Sequence, residues 1–174
     1  MSKKTSDSNP DSLMDRARRL GLWGLLAHWD EIKEAPWVQP YIEWEEQVRQ
    51  QRSLERRIRN ARIGRFKPMT DFDWDWPEQI DRGQVEELFT FRFITERANP
   101  ILIGPNGTGK TMISQNLAYQ ALLRGHTVHI TTAAMMLGDL VTQDTSTSLQ
   151  RRLRRYCRPQ LLVLDEVGYV SYDN

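Results

Sequence analysis

Apolar residues recur at helical spacing through the first third of the chain. Leu22, Leu25, Leu26, Trp29 and Ile32 form one stripe, Tyr41, Trp44 and Val48 a second, and Leu54, Ile58 and Ala61 a third. Asp11 or Ser12 is placed to cap a helix starting near Leu13. Gly21 and Gly24 interrupt the first stripe, and Pro36 and Pro40 bracket a turn. Residues 11–66 therefore read as a helical hairpin or small helical domain, with its tryptophans in the core rather than serving as base-stacking platforms. Residues 1–10 are polar and are predicted to be a disordered tail.

The period then changes. Within residues 67–83, Phe72, Trp74 and Trp76 alternate with Asp71, Asp73 and Asp75. This predicts a linker with a short extended segment that lays its aromatics on a neighbouring surface; the alternative is a wall of a nucleotide-base pocket. A helix is predicted over Gln84–Arg97, with Val85, Leu88, Phe89 and Phe93 on its apolar side. From there short apolar runs alternate with helical stretches. Strands are predicted at Ile101–Ile103, Thr127–Thr131 and Leu161–Leu164, and helices at Lys110–Arg124, Ala133–Val141 and Leu149–Tyr156, with Gly125 as a C-terminal cap. That alternation implies a parallel sheet in an α/β domain over residues 84–174.

Charge sharpens the division. The net charge is only +1, yet Arg49–Lys67 holds eight basic residues against Glu55, and Pro68–Asn99 holds eight acidic against three basic. A third block, Arg151–Arg158, carries five arginines. Each basic block reads either as a solvated helix face or as a phosphate-contacting surface; the guanidinium fork suits phosphate oxygens. Arg52, Arg56, Arg57, Arg59, Arg62 and Arg65 are the candidate DNA-contacting residues. The longest apolar run, Leu20–Ala27, is far short of the roughly 20 residues that cross a bilayer, and the polar N-terminus is no secretory signal. A single cysteine, Cys157, excludes an internal disulfide framework and a cysteine-based zinc cluster. A cytoplasmic protein is expected. His28, His126 and His129 show no ligand spacing.

One motif carries chemistry. Residues 104–111 read Gly-Pro-Asn-Gly-Thr-Gly-Lys-Thr, a full match to the phosphate-binding loop pattern between a strand and a helix. Gly104, Gly107 and Gly109 let the backbone of Pro105, Asn106 and Thr108 wrap closely, so that amides point at phosphate oxygens. The helix that follows adds its positive N-terminal end. Lys110 reaches the β- and γ-phosphates, and the Thr111 hydroxyl completes a Mg²⁺ shell. Leu161–Leu164 followed by Asp165 and Glu166 reads as the second nucleotide element, a strand ending in two carboxylates. Asp165 supports the metal there, and Glu166 orients and deprotonates an attacking water. ATP and Mg²⁺ are the expected cofactors.

With both motifs placed, the chain resembles the IstB-type helper ATPases of insertion-sequence transposition, which are similar to DnaC-type helicase loaders within the AAA+ class of P-loop NTPases. The resemblance runs from about Leu13 onward. Its carriers are the basic stretch Arg56–Phe66, residues 70–76, residues 88–94, the loop 104–111, residues 127–134 and residues 164–170. The resemblance implies ATP binding, ATP-dependent self-association on DNA, and presentation of target DNA to a transposase. It assigns the N-terminal helical part to DNA or partner contact and suggests that the helix around Ala133–Leu140 faces DNA. Family members continue past Glu166 with a sensor residue, an arginine finger and a helical lid, so a C-terminally truncated member with an incomplete sheet and weak or absent turnover is expected. In this sheet class the phosphate-loop strand lies between two strands that follow Glu166, which would leave Ile101–Ile103 without a neighbour. A replicative helicase loader and a non-hydrolysing DNA-binding module are the alternatives.

Overall fold

The computed structural model describes residues 12–76 and 80–167. The tail at 1–10, the linker positions 77–79 and the end of the 164–170 segment lie outside the described residues. Contacts divide the chain into two compact units, Met1–Ser53 and Leu54–Asn174.

In the first unit, Ser12 caps α1 (Leu13–Arg19) by accepting the Asp15 N–H. The short helices α2 (Trp23–Ala27) and α3 (Trp29–Ile32) follow a reversal at Gly21, whose φ of +64° is costly for residues with a Cβ. Helix α4 (Val38–Ala61) begins in this unit, and Val38 and Ile42, one turn apart, pack with Ala17 and Leu20. Arg16 clamps Glu46 through two hydrogen bonds of 3.0 and 2.6 Å. The predicted tryptophan core is corrected here. Trp23 is 71% exposed and Trp44 63% exposed, and Trp37 is also exposed; Trp29 packs at the margin of the core. The helix through Tyr41, Trp44 and Val48 is present, but its buried face is the one carrying Val38 and Ile42.

In the second unit, α7 (Lys110–Leu123) is the hub. Its residues Ile113, Leu117, Ala118, Ala121 and Leu122 are buried together with Ala61, Ile63, Phe72, Val85, Phe91 and Val128. Each fully buried leucine or isoleucine stabilises by about 2 kcal/mol. The helix stops at Gly125, whose φ of +94° allows its N–H to reach Leu122 O and that of His126 to reach Ala121 O. Strands β1 (Val128–Thr132) and β2 (Leu161–Asp165) pair in parallel, from Val128 opposite Leu161 to Thr132 opposite Asp165. The connection between them holds α8 (Ala133–Val141), capped by Thr132, and α9 (Ser146–Cys157), opened by a reciprocal Thr145–Ser148 capping box.

Two predicted elements are corrected. The helix over Gln84–Arg97 is two helices, α5 (Arg82–Leu88) and α6 (Arg92–Thr95). Phe91 lies between them at φ +63°, buried, with the Arg124 guanidinium 4.5 Å from its ring centre. Tertiary burial of that ring outweighs the cost of a left-handed backbone at a bulky residue. Residues 101–103 are not a strand: Ile101 is 78% and Ile103 90% exposed, and the described sheet consists of β1 and β2 alone. Among the described residues no strand lies beside this segment, so its backbone has no ladder to join. The linker contains a 3-10 turn at Met69–Asp71, after which Phe72 is buried and Trp74 packs on the core, whereas Trp76 is 64% exposed.

Candidate nucleotide-binding site

The site is built from a loop whose conformation only glycine tolerates easily. Gly107 and Gly109 adopt φ of +82° and +84°, and a Cβ at Gly104 would lie 3.2 Å from Thr108 Oγ1. Thr108 Oγ1 donates to Pro105 O at 2.9 Å, which closes the turn. Gly109 is the N-cap of α7 and has no side chain to satisfy the helix's first amides. These amides and the helix dipole suit a phosphate group. Lys110 Nζ donates to Gly104 O at 2.7 Å and to Pro105 O at 2.6 Å, so the ammonium is held over the same loop.

The second element meets the first at one hydrogen bond. Thr111 Oγ1 donates to Asp165 Oδ2 at 2.9 Å, and the Glu166 N–H donates to Asp165 Oδ1 at 3.0 Å. Asp165 ends β2, while Thr111 lies in the first turn of α7, so the helix–sheet packing sets this contact. Glu166 turns the chain at φ +55° directly beside it. Among the described residues no group of three or more His, Cys, Asp or Glu stands together to hold a metal. The Thr111–Asp165 pair instead offers two oxygens, which fits a cation whose remaining ligands come from phosphates and water.

Asn116 has no counterpart in the sequence reading, and Phe72, read there as an aromatic laid on a neighbouring surface, has its ring at the phosphate loop. Phe72 lays its ring against Gly109, where an added Cβ would collide with its Cε2 and lie 3.0 Å from its Cζ. Asn116, buried on α7, accepts the Met69 N–H at 3.1 Å and donates to Lys67 O and Met112 O, both at 2.8 Å. A polar residue on the apolar face of a helix is the one signal that marked Asn116. Trp74 packs against Phe72, ring centres 4.7 Å apart and tilted by 53°, and lies 5.0 Å beneath the Arg82 guanidinium. It also lines a cleft of about 870 Å³ with Phe66, Met69, Phe89 and Tyr119.

The basic residues divide by environment. Arg52, Arg56, Arg59, Arg62 and Arg65 are exposed. Arg57 is half-buried and donates to Leu122 O at 3.2 Å, tying α4 to the end of α7. On α9, Arg152 and Arg155 face Asp139 of α8, which also accepts the Tyr156 hydroxyl at 2.6 Å. Burial, and then Asp139, push the Tyr156 hydroxyl pKa up; burial, and then Arg155, push the His129 imidazole pKa down. Arg151, Arg154 and Arg158 are exposed. His126 packs near Phe91, and His28 is exposed beside Glu31.

A phosphate loop opening the hub helix of an α/β unit, with a strand-end aspartate on its threonine, defines a P-loop nucleotide-binding protein. Residues 27–174 match the family of IstB-like ATP binding proteins, and the chain belongs to that family. It is 34% identical over 122 residues to the IS21 insertion-sequence ATP-binding protein of Pseudomonas aeruginosa, covering 70% of this chain and 46% of that protein. It is 27% identical over 154 residues to the IS5376 ATP-binding protein of Geobacillus stearothermophilus, covering 87% and 61%. An insertion-sequence ATP-binding protein of Mycobacterium tuberculosis is 28% identical over 164 residues, covering 89% and 65%. The chain thus spans about half to two-thirds of the length of these relatives. No helix among the described residues is long and apolar enough to cross a membrane.

Proposed function

We propose that the chain is a cytoplasmic ATP-dependent helper of insertion-sequence transposition, which binds Mg-ATP, holds DNA through its phosphates and associates with further copies to present target DNA to a transposase. The observation that carries the nucleotide part is the Thr111–Asp165 hydrogen bond beneath the glycine loop. In this reading the amides of residues 104–111 bind the β- and γ-phosphates, and Lys110 leaves the Gly104 and Pro105 carbonyls to neutralise their charge. Thr111 and Asp165 would hold Mg²⁺, which would supply positive charge against the phosphate oxygens. Glu166, next in the chain after Asp165, would orient the attacking water and accept its proton.

The DNA part rests on the exposed arginines of α4 and the segment after it, and reads phosphate rather than base edges. The relatives' names place them in insertion sequences, which supports the transposition reading over a helicase loader. Calorimetric titration of the full chain with Mg-ATP tests the nucleotide part: saturable binding, lost in Lys110→Ala, is expected. Absence of heat and of saturation on folded protein overturns it. Phosphate release with duplex DNA present, abolished by Glu166→Gln, then separates an ATPase from a module that only binds.

A further inference from the structure

Gly109 occupies a left-handed conformation that no side chain of its own can brace. The space a Cβ would fill is taken by the ring of Phe72, 37 positions earlier in the chain. That ring is buried, packs at a tilt against Trp74, and follows the turn whose first N–H is fixed by Asn116. Asn116 also takes hold of Lys67 O, so the backbone is gripped on both sides of Pro68 by one side chain of the hub helix. Gly109 contributes the N-cap of α7, and displacing it moves every amide that faces the phosphates.

We propose that Phe72 is a positioning residue for the phosphate loop: its ring sets the place of Gly109, and the Asn116 grip holds the ring there. The inference rests on the nucleotide reading of residues 104–111. A second consequence follows from Lys110. Its ammonium must leave the Gly104 and Pro105 carbonyls to meet an entering phosphate, and Trp74, tilted against the Phe72 ring at 4.7 Å, is expected to sense the loop's adjustment.

A residue serving only the core would lower stability and leave affinity untouched. The test therefore compares Phe72→Leu with Phe91→Leu, a buried ring of the same core cluster that packs beside Phe93 and Arg124. Both variants of the full chain are expected to unfold at lower temperature. Only Phe72→Leu is expected to lose about tenfold in Mg-ATP affinity by calorimetry, since small misplacements of binding groups are costly. Phe72→Met, whose longer, unbranched chain can reach the place of the ring's far edge, is expected to recover part of that loss. Wild-type affinity in Phe72→Leu, or an equal loss in Phe91→Leu, overturns the proposal. Should Phe72→Leu not fold, tryptophan emission decides. Saturating Mg-ATP is expected to change the wild-type spectrum by more than that of Trp74→Phe, and identical responses overturn the proposal. Failure of the nucleotide reading looks different: the wild type itself shows no binding, and Lys110→Ala is indistinguishable from it.

Discussion

Thr111 and Asp165 stand 54 positions apart and share a hydrogen bond of 2.9 Å. One is in the first turn of the hub helix and the other ends a strand, so the bond exists only when α7 has docked on the sheet. The two oxygens proposed to hold a cation are thus brought together by folding. Occupation of the site should therefore stabilise the whole second unit. Mg-ATP at a hundred times its Kd is expected to add about 2.7 kcal/mol to unfolding. Differential scanning fluorimetry should show a rise in midpoint that Lys110→Ala abolishes. Asp165→Asn should retain nucleotide stabilisation in EDTA but lose the extra increment from Mg²⁺. Equal increments in wild type and Asp165→Asn would remove Asp165 from the metal's shell.

Asn116 makes three hydrogen bonds from a buried position, two of them to the segment before Phe72. Replacing it by alanine takes the partner from the Met69 N–H and the Lys67 carbonyl, both in part-buried bonds. The expected cost is about 2 kcal/mol in urea unfolding, the range for a buried group left without its partner. Asn116→Asp keeps the acceptor for Met69 but loses both donations and adds a charge, and is expected to be worse. A neutral Asn116→Ala would show that water takes over the grip.

Much of this architecture is legible in the residue order. Ile113, Leu117, Ala121 and Leu122 announce α7, Gly125 its end, and the runs Thr127–Thr131 and Leu161–Leu164 the two paired strands to within a residue. The glycine loop announces the site, because each of its residues answers a local demand of backbone geometry. What escapes is decided by contacts distant in sequence. Val85, Leu88, Phe89 and Phe93 keep helical spacing straight through the break at Phe91, since periodicity does not register a single left-handed residue. The stripe of Tyr41, Trp44 and Val48 reveals a helix without revealing which face is covered. Arg57 has the same local setting as Arg56, and only the position of Leu122 O makes one an internal donor while the other is exposed. Phe72 reads as one aromatic of an alternating trio until the fold brings Gly109 to it.

In the first unit the Arg16–Glu46 clamp makes stability depend on pH. The hydrogen bonds from Arg16 hold the Glu46 carboxyl below its ordinary value of 4.5. A depressed folded-state pKa means that the unfolded chain binds the proton more readily. The clamp's contribution is therefore complete above the ordinary value and disappears as pH falls through the lower, folded one. Both side chains are partly exposed, so solvent screening limits the effect to about 0.5 kcal/mol. Denaturant midpoints measured from pH 7 to pH 3 should fall less for Glu46→Gln than for the wild type. Parallel curves would show that the clamp contributes nothing.

The arginines between Arg52 and Arg65 offer the sharpest separation of fold from function, because their environments differ. Arg56, Arg59, Arg62 and Arg65 are exposed, and exposed guanidinium groups that touch phosphates release counterions from DNA. Changing each to glutamine should weaken binding to unrelated duplexes equally and lower the slope of log affinity against log salt by about one per contact. Thermal stability should move little, as these side chains bury almost nothing. Arg57 behaves in the opposite way if its role is internal. Arg57→Met removes the donor to Leu122 O and is expected to cost about 1–2 kcal/mol of stability, with the salt slope unchanged. A loss of DNA affinity in Arg57→Met as large as in Arg56→Gln would return Arg57 to the phosphate-contacting set. Undiminished affinity in the quadruple variant would leave α4's exposed arginines as a solvated face, and DNA contact would have to come from elsewhere, with Arg151, Arg154 and Arg158 of the third basic block the next residues to neutralise.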